Sequence, residues 1–186
     1  MGLFRRRAHD TAAGIDVDPA PSPQRQRDPR VGPAPVIDVN APVSNPELIA
    51  AFNTCVASNA APGTVEAVTI AMARAVYLVP VTYSRPPEDR GDGRVRLTQG
   101  TQLAFHLFPM SAESGLSGYG ACLDEAAFHR CAPEGASQQV MPALDLFTLA
   151  LRSDSAGGIV INPGDGGASI PVYRPWCEEV LQLLGR

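Results

Sequence analysis

The side chains of this chain that could carry chemistry are few and widely spaced. Cys122, His129 and Cys131 lie close enough in sequence to raise a metal site. There is no CxxC pair and no zinc-ribbon spacing, so reduced, mostly buried thiols beside a surface histidine are expected. Gly115-Leu-Ser-Gly-Tyr119 begins like a nucleophile elbow, but that motif needs glycine where Tyr119 stands. His106 falls on the polar phase of an alternating run and reads as a half-exposed surface histidine. The turn Asn162-Pro-Gly-Asp-Gly-Gly167 could cradle an anion with its amides. No lysine and no helix start follow it, and a hairpin turn accounts for the same residues. Asn162 and Asp165 are too few for a calcium loop. No catalytic residue, metal ligand or cofactor is assigned on these grounds.

Composition narrows the field further. All fifteen basic residues among the 186 are arginine. That excludes a Walker A lysine, a Schiff-base lysine and a lysine general base. The arginine- and alanine-rich background is one common to GC-rich genomes. A net charge of −4 argues against a dedicated nucleic-acid binder. No apolar run approaches the roughly 18–20 residues needed to span a bilayer. The cluster Arg5-Arg6-Arg7 is not followed by an apolar stretch, so no export signal is read and a cytoplasmic protein is expected.

These residues must be positioned by an ordered domain placed at 45–186. Residues 1–44, with Asp18-Pro-Ala-Pro-Ser-Pro23 and Val31-Gly-Pro-Ala-Pro35, read as a disordered Pro/Arg-rich arm. Asn45-Pro-Glu47 is a helix start, capped by Asn45, with Leu48, Ile49, Phe52 and Val56 as its apolar face. Thr64 is expected to cap a second helix with Val65, Val68 and Met72 inward. Val76–Tyr83 is β-rich, and Pro80 within it predicts an edge strand or a bulge. Val95–Thr98 and Gln102–Phe108 predict a hairpin, with Leu103, Phe105 and Leu107 on one face. A glycine-broken helical segment is expected over 112–122, then a short helix over 124–129 and a short strand over 138–141. A helix over 142–151 presents Leu144, Phe147 and Leu151. Ile159–Ile161 is a buried strand, 168–172 a returning one, and Pro175 opens a last helix with Trp176, Val180, Leu181 and Leu184 inward. Interleaved helices and hairpin-connected strands predict an α+β fold with a mixed sheet and flanking helices.

Three segments together resemble the SseB N-terminal-domain family: Val76-Tyr-Leu-Val-Pro-Val81, then Leu107-Phe-Pro-Met-Ser-Ala-Glu113, then Leu144–Leu151 leading into Gly158-Ile-Val-Ile-Asn-Pro-Gly164. The match covers about residues 45–184, and its last motif is the most specific. Pro80, Phe108, Pro109, Ser111, Glu113, Asn162, Pro163 and Gly164 are the motif positions that the resemblance marks as candidate binding residues. The middle motif departs from the family, with Pro109-Met110 where Thr-Ser is frequent, which leaves a capping hydroxyl to Ser111.

The resemblance implies a bacterial, non-catalytic interaction or regulatory module with a protein partner and no cofactor; self-association is left open. One alternative is a metabolite binder or enzyme using a cleft between Phe108–Ser111 and Asn162–Gly167, with His106 and Glu113. Another is an RNA- or ribosome-associated factor acting through Arg5, Arg6 and Arg7.

Overall fold

The computed structural model describes residues 26–38, 41–91, 95–96, 98–164 and 169–186. Among them five α-helices and nine strands form an α+β fold. Helices α1 (Pro46–Ala57) and α2 (Pro62–Arg74) lead into the long strand β1 (Val76–Tyr83). A two-residue ribbon follows, β2 (Glu88–Asp89) with β3 (Val95–Arg96). Then come β4 (Leu103–Phe105), β5 (Leu107–Pro109), β6 (Ser117–Ala121), α3 (Glu125–Cys131) and β7 (Ser137–Pro142). Helix α4 (Ala143–Arg152), β8 (Gly158–Ile161), β9 (Ile170–Tyr173) and α5 (Arg174–Leu183) complete the described chain.

The strands form two principal sheets, β4-β1-β7 and β5-β6-β8-β9. The first is antiparallel throughout; the second is mixed, with β6 and β8 parallel. One stretch of chain joins them. Phe105 still pairs with Val81 of β1, but Leu107 already pairs with Tyr119 of β6. His106 is the point of transfer: its amide donates to Pro80 O at 3.2 Å and its carbonyl accepts from Gly120 N at 3.2 Å. The inward phase shifts by one residue there. Phe105 packs on the main core, Leu107 is exposed, and Phe108 turns in, so Leu107 does not share the face of Leu103 and Phe105.

Pro80 is therefore on a central strand, not an edge. Its neighbours on the same side of β1 explain why this is tolerated. Leu78 exchanges two bonds with Cys122, at 3.0 and 2.8 Å, and the β4 ladder begins at Val81. The missing N–H falls in the gap between those two pairings, where the chain changes sheets and no ladder bond is forfeited.

Two further expectations are corrected. Val95–Arg96 pairs with β2 and not with Leu103–Phe105, although Thr101 N donates to Thr98 O in a turn between them. The segment expected to be helical over 112–122 is a turn followed by β6, whose glycines are required by close packing described below.

Most of the core lies between the helices and the sheets, around Tyr77, Met72, Leu146, Phe147, Ile159 and Ile161. On α1 the inward row is Leu48, Ala51, Phe52 and Cys55, while Ile49 and Val56 are exposed. On α4 it is Ala143, Leu146, Phe147 and Ala150, spaced i, i+3, i+4 and i+7, with Leu144 and Leu151 flanking it. Helix α2 starts at Pro62 with Ala61 as its cap residue, and the Thr64 hydroxyl bonds Ala61 O and Ser58 instead of capping. Cys177, Val180 and Leu181 are buried on α5 and Leu184 just after it, and Trp176 Nε1 donates to the hydroxyl of Thr69 at 2.8 Å. The guanidinium of Arg174 turns back on the end of α4, donating to the carbonyls of Ala150, Leu151, Ser153 and Ala156. Among the described residues no helix is long and apolar enough to cross a membrane.

The domain begins before residue 45. Pro29–Val31 form a 3-10 turn whose cap, Asp28, accepts from Arg30 N at 2.9 Å. Val31 is 2% exposed and belongs to the main core. Asp28 N donates to Leu183 O at 2.8 Å, Arg30 forms ion pairs with Asp28 and Glu66, and Arg74 donates to Arg30 O. Proline-rich composition disfavours regular structure, but a single valine with a capped turn suffices to dock this stretch. Arg5, Arg6 and Arg7 lie outside the described residues.

Candidate functional site

The most specific motif closes the end of β8. Asn162 has φ +48°, a left-handed conformation that asparagine tolerates better than most residues, and Gly164 follows at φ +77°. Its amide donates to Ala121 O at 2.9 Å, and its Oδ1 accepts from Leu123 N at 3.0 Å. The carbonyl of Leu123 is held from a distant element. Asn45 Nδ2 donates to Leu123 O at 2.7 Å and to Val76 O at 2.8 Å, while its Oδ1 accepts from Val76 N at 3.2 Å. Asn45 is 8% exposed and makes no capping bond to α1. It serves instead as a buried cross-brace between β1 and the chain leaving β6. Backbone groups at strand ends would otherwise be buried unpaired, at a cost of about 1–3 kcal/mol each. Pro163 is buried beside this junction. Asp165, Gly166 and Gly167, the rest of the expected turn, lie outside the described residues.

The Phe108–Glu113 motif is built on the opposite end of β6. Phe108 pairs with Gly118, and its ring lies so close to Gly120 that a Cβ there would stand 2.4 Å from the ring edge. Pro109 pairs with Ser117, and Met110, 5% exposed, donates its amide to Leu116 O at 2.9 Å. Ser111 Oγ accepts from Ser114 N at 3.0 Å, which orders a turn and not a helix start. Glu113 is exposed on that turn. Asn162 follows Ile161, which pairs with Ala121 at the far end of the same strand. The two motifs do not meet in one cleft. His106 Nε2 is 2.8 Å from the Thr82 hydroxyl, so its ring is directed along β1.

The thiols are placed differently from the metal arrangement considered above. Cys122 and Cys131 bring their sulfurs to 3.0 Å, and His129 is exposed with its ring against that of Phe128. No group of three or more metal-ligating side chains occurs among the described residues. Burial, reinforced by contact with Cys131, pushes the Cys122 thiol far above the usual range. Burial likewise pushes Cys177 up to about 12. Both are neutral thiols at neutral pH and are not activated nucleophiles.

An open groove of about 460 Å³ lies beside the start of α5. Leu116 and Tyr173, exposed to 46% and 38%, line it together with Asp154, Ser155, Ala156, Gly157 and Pro175. Arg174 borders it, but its guanidinium is directed into the α4 carbonyls. Sequence reasoning singles out Asn162, reads Asn45 only as a helix cap, and does not mark Arg174 or this groove. Their roles depend on contacts between residues tens of positions apart, and no local pattern marks them. Cys122 and Cys131 are raised by the sequence only as metal ligands with His129, whereas the structure brings the two sulfurs together without it.

No family model, no curated protein and no solved structure matches this chain.

Proposed function

We propose that this protein is a non-catalytic interaction or regulatory module of the SseB-like kind, engaging a protein partner through the groove beside α5. The observation that carries this reading is how the polar side chains are used. Asn45, Asn162, Arg174 and Thr69 are bonded to the protein's own backbone or to one another's elements. The accessible groove presents the large apolar side chains of Leu116 and Tyr173, with Asp154 and Ser155 beside them. A pocket shaped for catalysis gathers polar groups toward a substrate, whereas an exposed apolar wall suits a partner surface. The Tyr77–Pro80 stretch in β1 and the Asn162-Pro-Gly164 ending of β8 support the SseB-like assignment. The turn after Ser111 departs from the family's strand-to-helix junction. We place the protein in the cytoplasm, a compartment that keeps buried thiols reduced.

The test is cross-linking and affinity purification from the native cell, with the wild-type chain and the double variant Leu116→Glu, Tyr173→Glu. Both positions are exposed, so the variant is expected to fold with an unchanged circular-dichroism spectrum and to lose the partner. A partner retained by the folded variant overturns the groove assignment. A metabolite that raises the melting temperature and is then turned over overturns the non-catalytic reading.

A further inference from the structure

Two sulfurs meet where the chain leaves the mixed sheet and crosses through α3 to the antiparallel one. Cys122 follows β6, is bonded to Leu78 through both its backbone groups, and is fully buried. Cys131 is the last residue of α3 and is half-buried. Their Sγ atoms are 3.0 Å apart with no covalent bond between them, and Cys131 Sγ lies 2.8 Å from Ala127 O. A disulfide needs a separation of about 2.05 Å. The approach of about 1 Å falls within reach of a side-chain rotation at the end of a seven-residue surface helix. Cys55 and Cys177 sit on α1 and α5, away from this pair.

We propose that Cys122 and Cys131 are a modification site that closes into a reversible disulfide on reaction with a hydroperoxide. The accessible partner reacts first. The Cys131 sulfur attacks the peroxide O–O bond, taking one oxygen as a sulfenic acid, and the second oxygen leaves as water with the thiol proton. The Cys122 sulfur then attacks the sulfenic sulfur; the S–S bond forms, the S–O bond breaks, and the hydroxyl departs as water with the Cys122 proton. Two thiols and one hydrogen peroxide give one disulfide and two waters. Full burial shields Cys122 from oxidant until its neighbour has been oxidised, and its sulfur, already beside that of Cys131, gives up its proton as it attacks.

The bond would fasten a lightly held element. Helix α3 is attached by Ala127 and Phe128 packing on Leu78 and Cys122, and by the Asp124 cap to Ala127 N at 2.7 Å. A covalent tie at its last residue closes the loop from β6 through the Leu123 cross-brace and α3. Loops of this size, when closed, raise the melting temperature by about 5 °C or more.

The test uses the full chain at low concentration, treated with hydrogen peroxide and then blocked with N-ethylmaleimide under non-reducing conditions. The expected product is monomeric and lighter than the reduced chain by two hydrogen atoms before blocking. Digestion is expected to release a Cys122–Cys131 linked peptide pair, and dithiothreitol to reverse both the mass change and the thermal shift. Cys131→Ser is expected to abolish the product, whereas Cys55→Ala, Cys177→Ser and their combination are expected to retain it wherever they fold. Oxidation that ends as a stable sulfinic acid on Cys131 overturns the proposal. So does an intermolecular disulfide, or a linked pair involving Cys55 or Cys177.

Discussion

Arg174 gathers four carbonyls, at 2.6 to 3.2 Å, that α4 and the connection after it leave unpaired. A helix ends with carbonyls pointing out of its last turn, and a planar fork of donors can serve several at once. A lysine ammonium is a single point and cannot reach the same set. Arg174→Lys is therefore expected to lose about 1–3 kcal/mol, read as a lowered urea midpoint with unchanged slope. Asn45 has the same character. Asn45→Ala strips partners from Val76 N, Val76 O and Leu123 O together, and about 3 kcal/mol of destabilisation is expected by urea unfolding. Asn45→Asp is expected to be no better, since a carboxylate would face two carbonyl oxygens.

At the scale of elements, glycines in β6 and β8 make the mixed sheet possible. Gly158 has φ +149°, and a Cβ there would stand 2.1 Å from Val172 O. Gly158→Ala is expected to break the β8–β9 pairing and cost more than about 2 kcal/mol, measured by thermal unfolding. Gly120 admits the Phe108 ring, so Gly120→Ala is expected to destabilise less in a Phe108→Leu background than in the wild type, a coupling read by a double-mutant cycle. These contacts also explain where the sequence could be read. Val76–Tyr83 is visible as a strand from its β-branched and aromatic residues, and Pro142 and Pro175 mark α4 and α5. Ser117–Ala121 is not visible, because Gly118 and Gly120 lower strand propensity and the groups that require them, the Gly158 carbonyl and the Phe108 ring, lie far off in sequence. Leu107 is misassigned for a related reason: alternation predicts its face only while one partner strand persists, and the partner changes at His106. Of the candidate site, Asn162-Pro-Gly164 was recognisable as special, but its purpose was not. The residue it secures, Leu123, is shared with Asn45, far away in sequence.

For the molecule as a whole, the docked turn at Pro29–Val31 links the start of the described chain to its last helix. Its attachment is sensitive to acid. Hydrogen bonds from the Arg30 side chain and backbone lower the Asp28 carboxyl from the usual 3.8 to about 2. A carboxyl depressed in the folded state contributes its full stabilisation above its unfolded pKa and loses it as pH falls through the folded value. Amide-exchange protection of Arg30 and Val31 is thus expected to hold at pH 5 and to fade between about pH 4 and 2. Val31→Ala is expected to weaken the same protection at neutral pH and to reduce global stability by about 1–2.5 kcal/mol.

The transfer of one strand between sheets at His106 has a thermodynamic consequence. Leu103–Phe105 and Leu107–Pro109 are consecutive, so neither sheet can melt without pulling on the other's edge. A molecule divided at that seam would show two heat-absorption peaks. This one is expected to show a single peak whose calorimetric and van't Hoff enthalpies agree, the signature of all-or-none melting.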